Sequence, residues 1–254
     1  MTSTSWLEDR IEELKAALVF CTRLPLLHAP SAAGETIGKA AWGFPLAGLV
    51  VGLIGAAIYG LAHRFGLPPW PAAALAVAAT LLATGALHED GLADTADGFG
   101  GGKSREQKLA IMRDSRIGTY GVCALAVSLL LRVSALASLP SAHAVVWALF
   151  AAHAGARAAM PALMLMLPPA RSDGLSFAAG RPPVESVAAA VIIGFVVVAF
   201  CLHLGHAIAA LILLAVIAAL MAWLATRQIG GQTGDVLGAL EQLSEIAVLL
   251  AALA

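Results

Sequence analysis

Residues 207–225 read AIAALILLAVIAALMAWLA, nineteen consecutive residues without a single charge. A helix of about 20 apolar residues is long enough to cross the ~30 Å hydrocarbon core of a bilayer. The whole chain is 60% hydrophobic and 12% charged, whereas an ordinary soluble domain carries roughly 25% charged residues. The sequence therefore predicts an all-α, polytopic transmembrane helix bundle. About seven spans are expected, because further apolar runs lie near 41–62, 72–90, 119–139, 142–166, 185–203 and 234–253.

A length of 254 residues leaves room for one integral-membrane domain, residues 1–254, and for no separate soluble domain. Residues 1–40 are predicted to form an N-terminal amphipathic segment and residues 41–254 the bundle. Within residues 6–24, Leu7 and Ile11 begin a helical spacing of apolar residues among acidic and basic ones. We expect that helix to lie at the membrane interface rather than to cross the membrane.

The basic residues of the predicted loops indicate the orientation of the chain. With seven spans and the amino terminus inside, twelve lysines and arginines fall in cytoplasmic segments and only Arg64 falls outside. Such a bias is the positive-inside pattern of membrane proteins. The twelve are Arg10, Lys15, Arg23, Lys39, Lys103, Arg105, Lys108, Arg113, Arg116, Arg171, Arg181 and Arg227.

Four carboxylates follow the second apolar run, at Glu89, Asp90, Asp94 and Asp97. If the helix continues through Asp97, the three aspartates stand at i, i+4 and i+7 and share one face. Carboxylates so close together repel one another unless a cation lies between them, and Mg²⁺ prefers carboxylate oxygen, water and phosphate as ligands. This pattern favours a magnesium site over the alternative, a solvated acidic helix end.

A basic, glycine-containing stretch follows, with Lys103, Arg105 and Lys108 ahead of Arg113-Asp114-Ser115-Arg116. Phosphoryl transfer needs carboxylates that hold a metal ion and, beside them, guanidinium groups that donate hydrogen bonds to the phosphate oxygens. For Lys103 and Lys108, anchoring at the cytoplasmic face is an equally good interpretation.

A second polar cluster opens the last apolar run. Asp235, Gly238, Gln242 and Glu245 form one helical stripe, preceded by Thr233. The predicted topology places Asp235 on the same side as the first acidic segment, so we expect the two to meet. Glu245 has an alternative role as a buried acid paired with Arg132 or Arg157. Arg157 in turn is interpreted either as such a partner or as a phosphate contact.

Five motifs, taken in chain order, resemble those of the adenosylcobinamide-GDP ribazoletransferase family, also called cobalamin synthase. The resemblance covers nearly the whole chain. The motifs are Phe20-Cys21-Thr22-Arg23-Leu24-Pro25, Phe44-Pro45-Leu46-Ala47-Gly48, Glu89-Asp90-Gly91-Leu92-Ala93-Asp94-Thr95-Ala96-Asp97-Gly98, Arg113-Asp114-Ser115-Arg116-Ile117-Gly118-Thr119-Tyr120-Gly121 and Gly231-Gln232-Thr233-Gly234-Asp235-Val236-Leu237-Gly238.

The resemblance implies a magnesium-dependent enzyme of the bacterial inner membrane whose active site faces the cytoplasm. It would join adenosylcobinamide-GDP with α-ribazole or its 5′-phosphate, giving adenosylcobalamin or its 5′-phosphate and GMP. The expected partners are these substrates and the lipid bilayer, with no nucleic acid; a homo-oligomer is left open.

Roles for the candidate residues follow as hypotheses. Expected metal ligands are Asp90, Asp94, Asp97 and Glu89; expected catalytic residues are Glu89, Asp97, Arg113 and Arg116, with Glu89 or Asp97 as general base. Expected substrate contacts are Lys103, Arg105, Asp114, Ser115, Arg157, Thr233 and Asp235.

Two other classes of protein share part of this pattern. A CDP-alcohol phosphotransferase also uses a membrane acid cluster, but Asp94 follows Ala93 where its motif has arginine. An ion-coupled transporter also buries acids, but its acids lie at the midplane rather than at one face. Release of GMP that depends on cobinamide-GDP separates both from the transferase.

Overall fold

The computed structural model describes residues 3–25 and 35–254, which form twelve α-helices and one 3₁₀ helix, so the all-α prediction is confirmed. Parts of the predicted N-terminal segment, residues 1–2 and 26–34, lie outside the described residues. The helices are α1 (Ser3–Cys21), α2 (Glu35–Ala40), the 3₁₀ helix (Ala41–Gly43), α3 (Phe44–Arg64), α4 (Pro69–Thr84), α5 (Leu87–Gly101), α6 (Arg105–Ile111), α7 (Thr119–Ser138), α8 (Ala142–Met166), α9 (Gly174–Ala179), α10 (Val184–Cys201), α11 (Leu204–Ile229) and α12 (Gly234–Ala251).

Five helical stretches in the described part of the chain are long and apolar enough to cross a membrane, or six if a bent pair counts as one. The sequence predicted about seven. The predicted last span, α12, forms a helix of 18 residues, but it carries Asp235, Glu241 and Glu245 and is almost completely enclosed by the bundle. The five stretches are Ile37–Arg64, Thr119–Ser138, Ala142–Met166, Val184–Cys201 and Leu204–Ile229.

The predicted second span, 72–90, is not one straight helix. α4 ends at Thr84, and α5 starts at Leu87 after a bend of 89°. Gly85 and Ala86 both adopt left-handed backbone conformations, with φ of 65° and 55°. A left-handed residue ends a helix, because its amide bonds back to the carbonyls of the last turn. The bend redirects the acidic helix away from the axis of α4.

The predicted N-terminal helix exists as α1. Trp6, Leu7 and Ile11 are exposed on one side, whereas Ala17 and Cys21 are fully buried. The exposed apolar side chains fit an interfacial position, which stays a prediction.

Close glycine contacts hold α3 against α8 at the centre of the bundle. A Cβ atom at Gly48 would lie 2.2 Å from the carbonyl oxygen of His153, and one at Gly52 would lie 2.9 Å from that of Leu149. The two backbones approach this closely only because neither glycine carries a side chain.

A second pair of glycines positions the acidic helix. A Cβ at Gly91 of α5 would lie 2.8 Å from the carbonyl oxygen of Asp235, and one at Gly238 of α12 would lie 3.0 Å from that of His88. The first turns of α5 and α12 therefore touch backbone to backbone. The expected meeting of the two acidic segments is confirmed.

Candidate active site

Two cavities meet at the exposed side chain of Asp90. We call one the Asp235 cavity; its ≈ 130 Å³ are lined by Asp90, Asp235 and Arg171, together with apolar residues of α1, α8 and α9. We call the other the Asp94 cavity; its ≈ 440 Å³ are lined by Asp90, Asp94, Glu89, Arg113, Asp114 and Ser115, among others. The structure thus brings together most of the acids that the sequence singled out, with Asp90 between the two spaces.

Asp90, Asp94 and Asp235 offer a donor set that suits magnesium. Asp94 is half-buried and interacts electrostatically with the other two carboxylates. Among the described residues, neither Asp90 nor Asp94 has a hydrogen bond or an ion pair to its side chain. Carboxylates that repel one another at a cavity wall, two of them without a partner and the third, Asp235, paired with Arg171, fit a hard divalent cation. These three residues could therefore hold the ion that the sequence predicted.

Asp97 lies on the same helix but has other partners. One of its carboxylate oxygens accepts from the backbone amide of Gly118 at 2.7 Å, and the other from that of Gly121 at 2.9 Å. These amides are at the start of α7, where unpaired N–H groups favour a negative charge. The roles predicted for Asp97, metal ligand and base, stay predictions, and this bonding shows it capping α7.

Glu89 points into the bundle, where it joins what we call the interior ion network. Its Oε1 lies 2.9 Å from Nη1 of Arg132, which also lies 3.3 Å from Oε1 of Glu245. Its Oε2 has no hydrogen-bond partner among the described residues. Nearby, Arg157 lies 2.6 Å from Glu241. The members are Glu89, Arg132, Arg157, Glu241 and Glu245, with His88 and His153 packed beside them.

This arrangement shows the partners of two residues whose roles the sequence left open, and the substrate contact predicted for Arg157 stays a prediction. Arg157 is 1% exposed and pairs with Glu241, so the structure places it as a buried partner rather than at a cavity wall. Glu245 pairs with Arg132, as its alternative interpretation expected. Ligand atoms of His153, Glu241 and Glu245 lie within 4.8 Å of one another. Because Glu241 and Glu245 already pair with Arg157 and Arg132, this group is a weaker metal candidate than the cavity aspartates.

The basic residues divide into two groups. Arg105 donates to the carbonyl oxygens of Ile229, at 2.8 Å, and Ala170, and Lys108 donates to Gln228. These two side chains tie α6 to the segments beside α12, and Lys103 is exposed. The substrate contacts predicted for Lys103 and Arg105 stay predictions, and the bonds of Arg105 are structural.

Residues 113–115 line the Asp94 cavity, and Arg116 follows them in the same loop. Arg113 donates to both carboxylate oxygens of Asp173 at 2.7 Å, and Arg116 donates to Asp114 at 2.6 Å. The hydrogen bonds from Arg116 lower the pKa of the Asp114 carboxyl to about 2. Arg116 itself is mostly exposed, so it is available at the surface of this loop.

Thr233 caps the helix that carries Asp235. Its hydroxyl accepts from the amide of Val236 at 3.3 Å and donates to Asp235 at 3.1 Å. Both bonds orient Asp235 at the start of α12. The predicted substrate contact of Thr233 stays a prediction.

Sequence reasoning missed Arg171 and Asp173. Arg171 lies 3.3 Å from Asp235 and 3.5 Å from Asp173, which connects it to Arg113. In the sequence, Arg171 contributed only to the count of cytoplasmic charges. The neighbouring segment gave no signal, because the bridge that pairs Pro169 with Gln232 joins positions 63 residues apart.

The chain matches the family described as cobalamin-5-phosphate synthase over residues 13–253. It is 55% identical to the adenosylcobinamide-GDP ribazoletransferase of Bradyrhizobium diazoefficiens, covering 99% of this chain and 96% of that protein. The protein of the same name from Mesorhizobium japonicum is 54% identical over 95% of this chain and 93% of its own length. No solved structure matches the chain. The agreement extends over almost all of the chain, and the chain belongs to the cobalamin-5-phosphate synthase family.

Proposed function

We propose that the chain joins adenosylcobinamide-GDP with α-ribazole or its 5′-phosphate and releases GMP. Family membership gives the reaction. The single structural observation that supports it is the position of Asp90 between two cavities, each of which holds an arginine. A reaction in which one substrate attacks a phosphorus of another needs space for both substrates beside the same acidic residues. The two cavities that share Asp90 provide that space.

In the proposed reaction, the 3′-hydroxyl oxygen of ribazole forms a bond to the cobinamide-linked phosphorus. The bond from that phosphorus to the GMP oxygen breaks, and GMP leaves with the electron pair. Glu89 is the better placed candidate to take the hydroxyl proton, because its Oε2 accepts no hydrogen bond from the described residues and its side chain lines the Asp94 cavity. Asp97 already uses both of its oxygens.

We propose magnesium as the ion of this site, held by Asp90, Asp94 and Asp235. When bound, it neutralises charge on the transferring phosphoryl group and makes GMP a better leaving group. The chain itself supplies the guanidinium group of Arg113, at the wall of the Asp94 cavity, to the remaining phosphate oxygens.

We further propose the bacterial inner membrane as the location, with the cavities facing the cytoplasm. The proposal is supported by the bacterial source of the relatives and by the basic residues around the site. Nucleotide-activated substrates are made on that side of the membrane.

The experiment is an assay of GMP release by the purified protein in lipid nanodiscs. We expect GMP only when adenosylcobinamide-GDP and ribazole are both present, and we expect EDTA to abolish it and Mg²⁺ to restore it. Product analysis with free and phosphorylated ribazole identifies the preferred acceptor. GMP release without ribazole, or none under any condition, would contradict the proposed function.

A further inference from the structure

Arg171 has hydrogen-bonding capacity that the rest of the described chain does not use. Its side chain is 14% exposed and lines the Asp235 cavity. It forms two ion pairs, at 3.3 Å to Asp235 and 3.5 Å to Asp173, and no hydrogen bond within the described residues. Its Nη1 is buried without any partner there. A buried donor left unpaired destabilises the protein, so a site that retains one is prepared for an acceptor.

The surrounding backbone fixes the position of this guanidinium group. The amide of Ala170 donates to the carbonyl of Gln232 at 2.7 Å, and the amide of Gln232 donates to that of Pro168 at 2.9 Å. On the other side, a Cβ at Gly174 would lie 3.2 Å from Nη2 of Arg171, and its φ of 87° suits glycine. Arg171 is thus held beside the segment that carries Asp235.

Asp173 connects Arg171 to the other cavity. Its carboxylate pairs with both Arg171 and Arg113, and Arg113 lines the Asp94 cavity. Two arginines therefore flank Asp90, joined by one exposed carboxylate. A pyrophosphate presents two linked anionic groups, which is the chemistry that two such guanidinium groups recognise.

We infer that Arg171 binds the pyrophosphate of the nucleotide-activated substrate together with Arg113, and that Asp173 holds the two guanidinium groups in position until the substrate replaces it. The inference rests on the proposed function for the identity of the substrate. The recognition of pyrophosphate itself does not depend on turnover.

The first test measures equilibrium binding of inorganic pyrophosphate with Mg²⁺ to the purified protein in nanodiscs. We expect the wild type to bind and Arg171→Ala to bind at least about tenfold more weakly, as loss of a charge-assisted hydrogen bond predicts. Arg171→Lys keeps the charge without the planar fork and should fall between them. Arg227→Ala, which removes an arginine that stacks on Trp223, is the matched control and should bind like the wild type.

The second test compares the two substrates in the GMP assay. Arg171→Ala should raise KM for adenosylcobinamide-GDP by about 10–100-fold and leave KM for ribazole phosphate within about twofold. Asp173→Asn removes the carboxylate that positions both arginines, so its KM for adenosylcobinamide-GDP should rise, but by less than that of Arg171→Ala.

Pyrophosphate affinity within twofold of the wild type in Arg171→Ala, or no binding by the wild type, would overturn the inference. An unchanged KM for adenosylcobinamide-GDP in Asp173→Asn would overturn the role of Asp173. Failure of the proposed function looks different, because the wild type would then release no GMP while the pyrophosphate measurement still decides the role of Arg171.

Discussion

Glu89 and Asp90 are neighbours in the sequence, yet they belong to two different charge environments. Glu89 is buried and pairs with Arg132, which also pairs with Glu245. Asp90 is exposed at the junction of two cavities and has no side-chain hydrogen bond or ion pair within the described chain. The same difference separates the other members of the two groups. Each glutamate of the interior ion network pairs with an arginine, whereas the cavity aspartates lie close to one another.

The difference shows that burial and ion pairing give different roles to acidic residues on the same helix. A buried charge is tolerated only with a partner, because desolvation is expensive. Crowded carboxylates at a cavity wall destabilise the protein by mutual repulsion and gain when a cation binds. We therefore expect substitutions in the interior ion network to change stability, and substitutions of the cavity aspartates to change activity. Glu89, which is also the proposed base, should change both.

The largest expected effect is that of Arg132→Ala. It leaves Glu89 and Glu245 as buried acids without their partner, which costs about 3–5 kcal/mol of stability. Thermal unfolding in detergent measures the loss. Arg132→Met combined with Glu89→Gln and Glu245→Gln should recover much of it, because no uncompensated charge remains. An unchanged melting temperature in Arg132→Ala would contradict a structural role for the network.

Asp94→Asn tests the role of the cavity aspartates in activity. It removes one of three crowded carboxylates, so we expect at least about a 100-fold loss in the rate of GMP release at saturating Mg²⁺. Its melting temperature should equal or exceed that of the wild type, since repulsion is relieved. Near-normal turnover would exclude Asp94 as a ligand, and a large drop in melting temperature would place it with the interior residues.

Asp97→Asn tests whether position on α5 alone makes an acid part of the metal site. Asp97 lies on the same helix as Asp90 and Asp94, but it accepts hydrogen bonds from the backbone N–H groups at the start of α7. The amide keeps one acceptor and turns a donor toward a backbone N–H, so we expect a loss of about 1–3 kcal/mol. The Mg²⁺ concentration that gives half-maximal GMP release should stay within about twofold of the wild type, in contrast to Asp90→Asn. A large rise in that concentration would instead support the predicted metal role.

Much of the fold was predictable because membrane helices obey strong local rules. Apolar run length predicted most of the long helices. Helical periodicity and the side of the membrane together predicted that Asp235 meets the first acidic segment. These inferences needed only the pitch of a helix and the thickness of a bilayer.

The remaining features depend on information that is not local. The bend at Gly85 was hidden because apolar composition continues through it. Arg105 was predicted as a substrate contact. In the sequence, a basic residue that binds a phosphate looks the same as one that donates to the carbonyl of a residue far away in the chain, as Arg105 does to Ile229. Arg171 was missed because its position depends on the pairing of residues far apart in the chain.

The smallest expected effect is that of the surface pair formed by Asp114 and Arg116. Bonding to Arg116 lowers the pKa of Asp114 to about 2, so this contribution to stability is complete above the unfolded pKa of about 3.9. It is lost only as the pH falls through the folded value. The stability difference between wild type and Asp114→Asn should therefore be constant between pH 6 and 8, as thermal unfolding across that range measures. A difference that changes with pH in this range would show that the Asp114 carboxyl titrates near neutrality, as an acid close to other acids does. Asp114 would then belong with the cavity aspartates rather than with the paired acids.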